Sequence, residues 1–128
     1  MATIIVNAFW LGICIYYEAG NQAMDGKIAV AHVVMNRVHN RGMSVEDVIK
    51  QPKQFSFYNI DLRKSIPFVE LGVLEECFEA AYKCLEERLN GKNLNGANYY
   101  FNPSLVHPKW ADGMKLVAEI EDHVFYRG

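Results

Sequence analysis

No Lys or Arg occurs before Lys27, so the apolar stretch near the start of the chain has no basic region ahead of it and does not read as a secretory signal. From Ile4 to Tyr17 this stretch is shorter than a membrane span and is interrupted by Asn7 and Gly12; it predicts a buried core helix, with no stable membrane insertion. Only three cysteines are present, Cys14, Cys77 and Cys84, which is too few for a disulfide framework. Seven residues apart on one helix face, Cys77 and Cys84 would stand about 10 Å apart, beyond bridging distance. There is no Cys-x-x-Cys or His-x-x-x-His pair, and His32, His39 and His107 share no ligand spacing, so neither metal nor cofactor is expected. A formal net charge of −2 gives no basic footprint for nucleic acid. Gly-x-Ser-x-Gly, a phosphate loop, internal repeats and low-complexity tracts are also missing.

What remains is an ordinary globular composition: 128 residues, 51% hydrophobic and 22% charged, which predicts a single domain spanning 1–128. The segment Ala8–Tyr17 predicts a helix that Gly20 or Asn21 could stop in a left-handed conformation. Asp25 can cap a second helix, with Ile28, Ala31, Val34, Met35 and Val38 at helical spacing and Asn40-Arg41-Gly42 at its end. Ser44 begins a capping pattern for a short helix that stops before Pro52. Residues 52–66 lack a period and predict a long loop. A further helix is expected from Phe68 to Leu89, presenting Leu71, Leu74, Phe78, Tyr82 and Leu85 on one face. Beyond Asn90-Gly91, the segments 97–101, 116–120 and 123–126 favour short strands, with Glu121-Asp122 as the turn of the last pair. The fold class is α+β, a mainly helical domain with a small antiparallel sheet near the C-terminus.

Glu18 draws the eye as a candidate acid. Ile15, Cys14 and Leu11 lie three, four and seven residues before it, on the same helical face. Apolar neighbours disfavour the charged form and would raise the carboxyl pKa toward a value suited to donating a proton. Gln54, Phe55 and Ser56 lie in the irregular middle, where rings and polar groups together suit a sugar, although anchoring the loop in the core is the simpler role for Phe55. Tyr100, Asn102 and Trp110 belong to the aromatic stretch from Tyr99 to Trp110. Asn102 before Pro103 is a turn signal in its own right, and Trp110 can be a packing residue or the wall of a cleft. His123 lies in an alternating strand, where a structural histidine is the simpler reading. No second carboxylate declares itself, because capping or solvation accounts for Asp25, Glu46 and Asp47; Asp61 is also available.

In order along the chain, Tyr17-Glu-Ala-Gly20, Gly26-Lys-Ile-Ala-Val-Ala-His-Val-Val-Met-Asn-Arg-Val38, Gln51-Pro-Lys-Gln-Phe-Ser56, Gly96-Ala-Asn-Tyr-Tyr-Phe-Asn-Pro103, Trp110 and Ile120-Glu-Asp-His-Val-Phe-Tyr126 resemble the SleB-type cell-wall hydrolases, which include the spore cortex-lytic enzymes. The resemblance implies a lysozyme-like catalytic domain that cleaves peptidoglycan glycan strands at the β-1,4 bond after N-acetylmuramic acid, as a lytic transglycosylase or muramidase. It implies Glu18 as the catalytic acid; Gln54, Phe55, Ser56, Tyr100, Asn102, Trp110 and His123 are the candidate substrate-binding residues beside it. Two departures stand out. Gly20 follows Ala19 directly, where the family commonly has Glu-Ala-Arg-Gly-Glu, and Glu121 stands where a Gly is common.

A catalytically silent glycan-binding or protein-interaction module is the competing reading. With no ordinary export signal, the expectation is a monomer made in the cytoplasm that acts on the wall after release, through a holin-like membrane-permeabilising partner or as a domain of a longer exported protein.

Overall fold

The computed structural model describes residues 2–51 and 70–128. Four α-helices precede a three-stranded sheet: α1 Ala2–Ala19, α2 Met24–Arg41, α3 Val45–Lys50 and α4 Leu71–Leu89, then β1 Tyr99–Phe101, β2 Lys115–Ile120 and β3 His123–Arg127. Short 3-10 turns at Leu94–Gly96 and Lys109–Gly113 flank β1. The sheet is antiparallel in the order β1-β3-β2, so the last strand of the chain is the central one. This is the mainly helical α+β architecture expected. Among the described residues, no helix is long and apolar enough to cross a membrane.

α1, α2 and α4 pack on one another around a core that includes Leu11, Cys14, Ile15, Val30, Val33 and Val34, with Ala81, Cys84 and Phe125 closing it. α1 begins earlier than its apolar run suggests and is buried along one stripe only. Ala8, Leu11, Cys14, Ile15 and Ala19 face inward, while Ile4, Ile5, Val6 and Phe9 are about half exposed.

α4 departs further from expectation. Its buried face is Cys77, Ala80, Ala81 and Cys84, whereas Leu71 and Tyr82 lie about half in solvent. Small residues are selected because the helices approach closely: a Cβ on Gly12 of α1 would sit 2.1 Å from a Phe78 ring carbon of α4. All three cysteines are free and buried. Burial pushes their thiols up, to about 11 for Cys77 and about 12 for Cys84, which leaves them unsuited to nucleophilic work.

The helix ends divide between expected and unexpected chemistry. Gly42 takes a left-handed φ of 62°, and its N–H donates to the Val38 carbonyl at 3.0 Å, ending α2 as anticipated. Ser44 Oγ accepts from the Asp47 N–H at 3.1 Å and caps α3. Asp25, in contrast, is not the cap of α2. That position is Ala23, without a side-chain cap, and Asp25 lies in the first turn, where its charge suits the helix dipole. Nor does α1 end in a left-handed residue, since neither Gly20 nor Asn21 has positive φ. Glycine is required at position 20 for another reason: a Cβ there would meet the Tyr16 carbonyl oxygen at 2.5 Å.

Three consecutive residues, Leu94, Asn95 and Gly96, have φ of 54°, 49° and 78°. For a residue bearing a Cβ this conformation costs roughly 1–2 kcal/mol. Asn36 of α2 holds the turn from beneath, donating through Nδ2 to the carbonyls of Asn93 at 2.9 Å and Ala97 at 2.7 Å.

Candidate active site

Glu18 occupies the last turn of α1 and is half-buried, with Leu11, Cys14 and Ile15 fully buried behind it, as helical spacing required. β1 brings Tyr100 to the same place. The Tyr100 hydroxyl is pushed well above its usual range, first by burial and then by the negative charge of Glu18; the Cys14 thiol responds to the same two influences. Both groups also feel Arg37 with the opposite sign. Glu18 thus lies near enough to Tyr100 and Cys14 for its charge to bear on both, with the Arg37 guanidinium acting on the same two groups.

Arg37 is anchored for this position. It is almost wholly buried, its Nε donates to the Asn98 carbonyl at 2.8 Å, and its guanidinium carbon lies 5.2 Å from the Tyr99 ring centroid. It was not among the candidates read from the sequence. Its signal was a charge three and four residues after Val34 and Val33, on the buried stripe of α2.

His123 joins Tyr100 on the helix-facing side of the sheet, its ring edge-on at 5.1 Å between centroids. It is buried, and among the described residues its Nδ1 has no hydrogen-bond partner. Burial lowers its pKa, partly offset by Asp122, so the ring is neutral at neutral pH with one uncommitted nitrogen.

Among the described residues, Trp110 and Asn102 do not gather around Glu18. Trp110 packs on the opposite side of the sheet, against Tyr99, Phe101 and Tyr126. Strand alternation is the cause: Tyr99 and Phe101 face one way and Tyr100 the other. Asn102 is occupied locally, its Oδ1 accepting from the Ser104 N–H at 2.9 Å in the turn after β1. Gln54, Phe55 and Ser56 lie outside the described residues, as does Asp61.

A cleft of about 650 Å³ opens at the end of α1, lined by Tyr16, Tyr17, Gly20, Asn21, Glu70 and Val73. Glu18 is not in that lining, but its chain neighbour Tyr17 is, so acid and cleft lie on adjoining faces of one helical turn. Two tyrosines beside polar groups suit a sugar ring. The tyrosine pair flanking Glu18 was a legible signal that the sequence reading passed over. Glu70, at the entrance to α4, supplies a carboxylate there that had also gone unremarked. Asp25 instead lines a separate pocket of about 240 Å³ with His32, Glu87 and Ile120. Among the described residues, no cluster of His, Cys, Asp and Glu could hold a metal ion.

A half-buried carboxyl group at the end of α1 thus adjoins a cleft lined by Tyr16 and Tyr17, while Tyr100 and His123 pack together on the helix-facing side of the sheet. The chain belongs to the cell wall hydrolase family, whose pattern matches residues 21–126. The spore cortex-lytic enzyme of Bacillus cereus is 28% identical over 114 residues, covering 87% of this chain and 40% of that protein. The spore cortex-lytic enzyme of Bacillus subtilis is 26% identical over 118 residues, covering 90% and 35%. The chain thus spans about two-fifths of the length of the curated relatives it matches. Two solved structures share the fold over 94% of this chain. The catalytic domain of the Bacillus cereus SleB protein has a TM-score of 0.73 at 26% identity and is covered over 90% of its length. The catalytic domain of the germination-specific lytic transglycosylase SleB from Bacillus anthracis has a TM-score of 0.70 at 25% identity and is covered over 93%.

Proposed function

We propose that this domain cleaves peptidoglycan glycan strands at the β-1,4 bond between N-acetylmuramic acid and N-acetylglucosamine, with Glu18 as acid and then base. What supports the reading is the place of Glu18, half-buried in the last turn of α1 with Leu11, Cys14 and Ile15 behind it, on a fold shared with SleB catalytic domains.

In this reading Glu18 enters the reaction as the carboxylic acid and donates its proton to the glycosidic oxygen as positive charge builds on the muramoyl ring. The Arg37 charge, felt by the same neighbours, favours the carboxylate left behind. That carboxylate then takes the proton of the muramoyl C6 hydroxyl, whose oxygen closes on C1. The product is an internal anhydro ring, and no water is consumed. Tyr16 and Tyr17, which line the cleft, would cover a ring face of the sugar, and Tyr100 and His123 would support the site from the sheet.

Glu70 supports a second route, in which a carboxylate lining the cleft activates water and the outcome is hydrolysis. Incubating wild type and Glu18→Gln with purified peptidoglycan, followed by mass spectrometry of the fragments, tests both. Anhydro-muramoyl ends are expected from wild type, with a loss of roughly a hundred- to ten-thousand-fold in Glu18→Gln. Reducing ends that vanish in Glu70→Gln would favour hydrolysis. A folded Glu18→Gln protein working at the normal rate would overturn the assignment.

A further inference from the structure

At the end of the sheet away from His123, Lys115 of β2 and Arg127 of β3 are directly opposed in the antiparallel register. Like charges in that relationship repel and destabilise a strand pair. Among the described residues, no carboxylate is paired with either, although the chain as a whole carries more acidic than basic side chains. The two cations line one pocket of about 220 Å³, together with Asn95, Leu116 and Val117.

The surrounding backbone is arranged to keep them there. A bulge between Leu116 and Ala118 resets β2 immediately after Lys115. Across the pocket, the left-handed turn Leu94–Gly96 presents the Asn95 carbonyl, which accepts from Arg127 Nη1 at 3.1 Å. Gly96 leaves room for the arginine stem, since a Cβ there would lie 3.1 Å from Arg127 Cδ. The strained turn, clamped by Asn36, therefore holds the Arg127 guanidinium at the pocket that Lys115, its cross-strand partner, also lines.

We propose that Lys115, Arg127 and the Leu94–Gly96 turn form an anion site that takes a carboxylate or phosphate group. An oxyanion removes the repulsion, and the guanidinium, with one N–H committed to Asn95, keeps further donors for it. The pocket is sized for one such group and the atoms next to it. Arg127 lies four residues along β3 from His123, roughly 13 Å at the usual strand rise. The anion is therefore one borne by the same wall polymer, either a peptide-stem carboxylate or a phosphate of an attached polymer. That assignment rests on the function proposed above, whereas the anion site itself rests on its own geometry.

Backbone-amide NMR titrations of the full chain with inorganic phosphate, and separately with an N-acetylated dipeptide bearing a free C-terminal carboxylate, test it at matched ionic strength. Saturable shifts confined to residues 94–96, 115–117 and 127 are expected, with affinity falling at least five-fold in Lys115→Gln and in Arg127→Gln. Both side chains are exposed, so these variants should retain the wild-type spectrum elsewhere. Tighter binding of the dipeptide supports the stem carboxylate, and tighter binding of phosphate supports the attached polymer. Absence of saturable shifts with either anion, or equal affinity in the variants, would overturn the site. Glu18→Gln should bind both anions as wild type does. Wild type that binds them yet leaves peptidoglycan intact would remove the proposed function and keep the site, and cleavage without anion binding would do the reverse.

Discussion

Gln22 and Asp122, a hundred positions apart, hold each other through a reciprocal pair of hydrogen bonds: Gln22 Nε2 donates to Asp122 Oδ2 at 3.0 Å, and the Asp122 N–H donates to Gln22 Oε1 at 3.2 Å. Gln22 follows Glu18 by one turn of chain, and Asp122 precedes His123. The pair therefore fixes the hairpin that carries the histidine to the loop that follows the acid. Replacing Gln22 with Ala should cost about 1–3 kcal/mol, because a buried amide pairing is lost. Urea unfolding measures that cost, and cleavage rates on peptidoglycan should fall with it while Glu18 is untouched.

The close contact of α1 with α4 makes a second prediction. Ala81→Leu should destabilise the domain by about 1–3 kcal/mol through overpacking, although it adds hydrophobicity. Tyr82→Ala removes a large ring that is half in solvent, and should cost less than about 1 kcal/mol. The reverse ranking in thermal unfolding would restore the face read from the sequence.

His32 links stability to pH. Arginine only donates, so Arg88 Nη1–H donates a hydrogen bond to His32 Nδ1 at 3.2 Å, and His32 Nε2–H in turn donates to Glu87 Oε1 at 2.9 Å. Burial lowers the His32 pKa below its ordinary value of 6.5, against the opposing pull of Glu87. The unfolded chain therefore binds the proton more readily than the folded one. This contribution is intact above pH 6.5 and is lost as pH falls from there toward the folded-state pKa. Chemical denaturation between pH 7.5 and 5 should show a smaller loss of stability in His32→Gln than in wild type. An identical slope in the two proteins would remove His32 from the account.

Glu121 occupies the hairpin turn with φ of 54°. Glycine adopts that backbone without the Cβ penalty, so Glu121→Gly should raise stability by up to about 1 kcal/mol. A rise in melting temperature at unchanged fold checks it.

These residues also mark how far the sequence was legible. Gly42 and Ser44 act through neighbours within five positions, and their roles could be read directly. Local alternation likewise carried the strands and the Glu121-Asp122 turn. Glu18 and its apolar face were visible because helical spacing is local as well. The interior face of α4 was legible in part: Phe78 lies against Gly12 and Leu85 packs on the core. Its fully buried stripe is made of the small residues Cys77, Ala80, Ala81 and Cys84, which a pattern of large residues does not reveal. Trp110 was grouped with Tyr100 because they are near in sequence, yet the pleat sends Tyr99 and Phe101, on which Trp110 packs, to the other side. Arg37 and Gln22 gain their meaning only from partners in the last third of the chain.

The central position of β3 has a consequence for the timing of synthesis. The acid-bearing helix leaves the ribosome first, yet Tyr100 can be seated on its neighbouring strand only after residues 123–127 have emerged. A nascent chain carrying Glu18 thus has no finished sheet to set against it until β3 arrives, so the proposed glycan cleavage would wait for that strand.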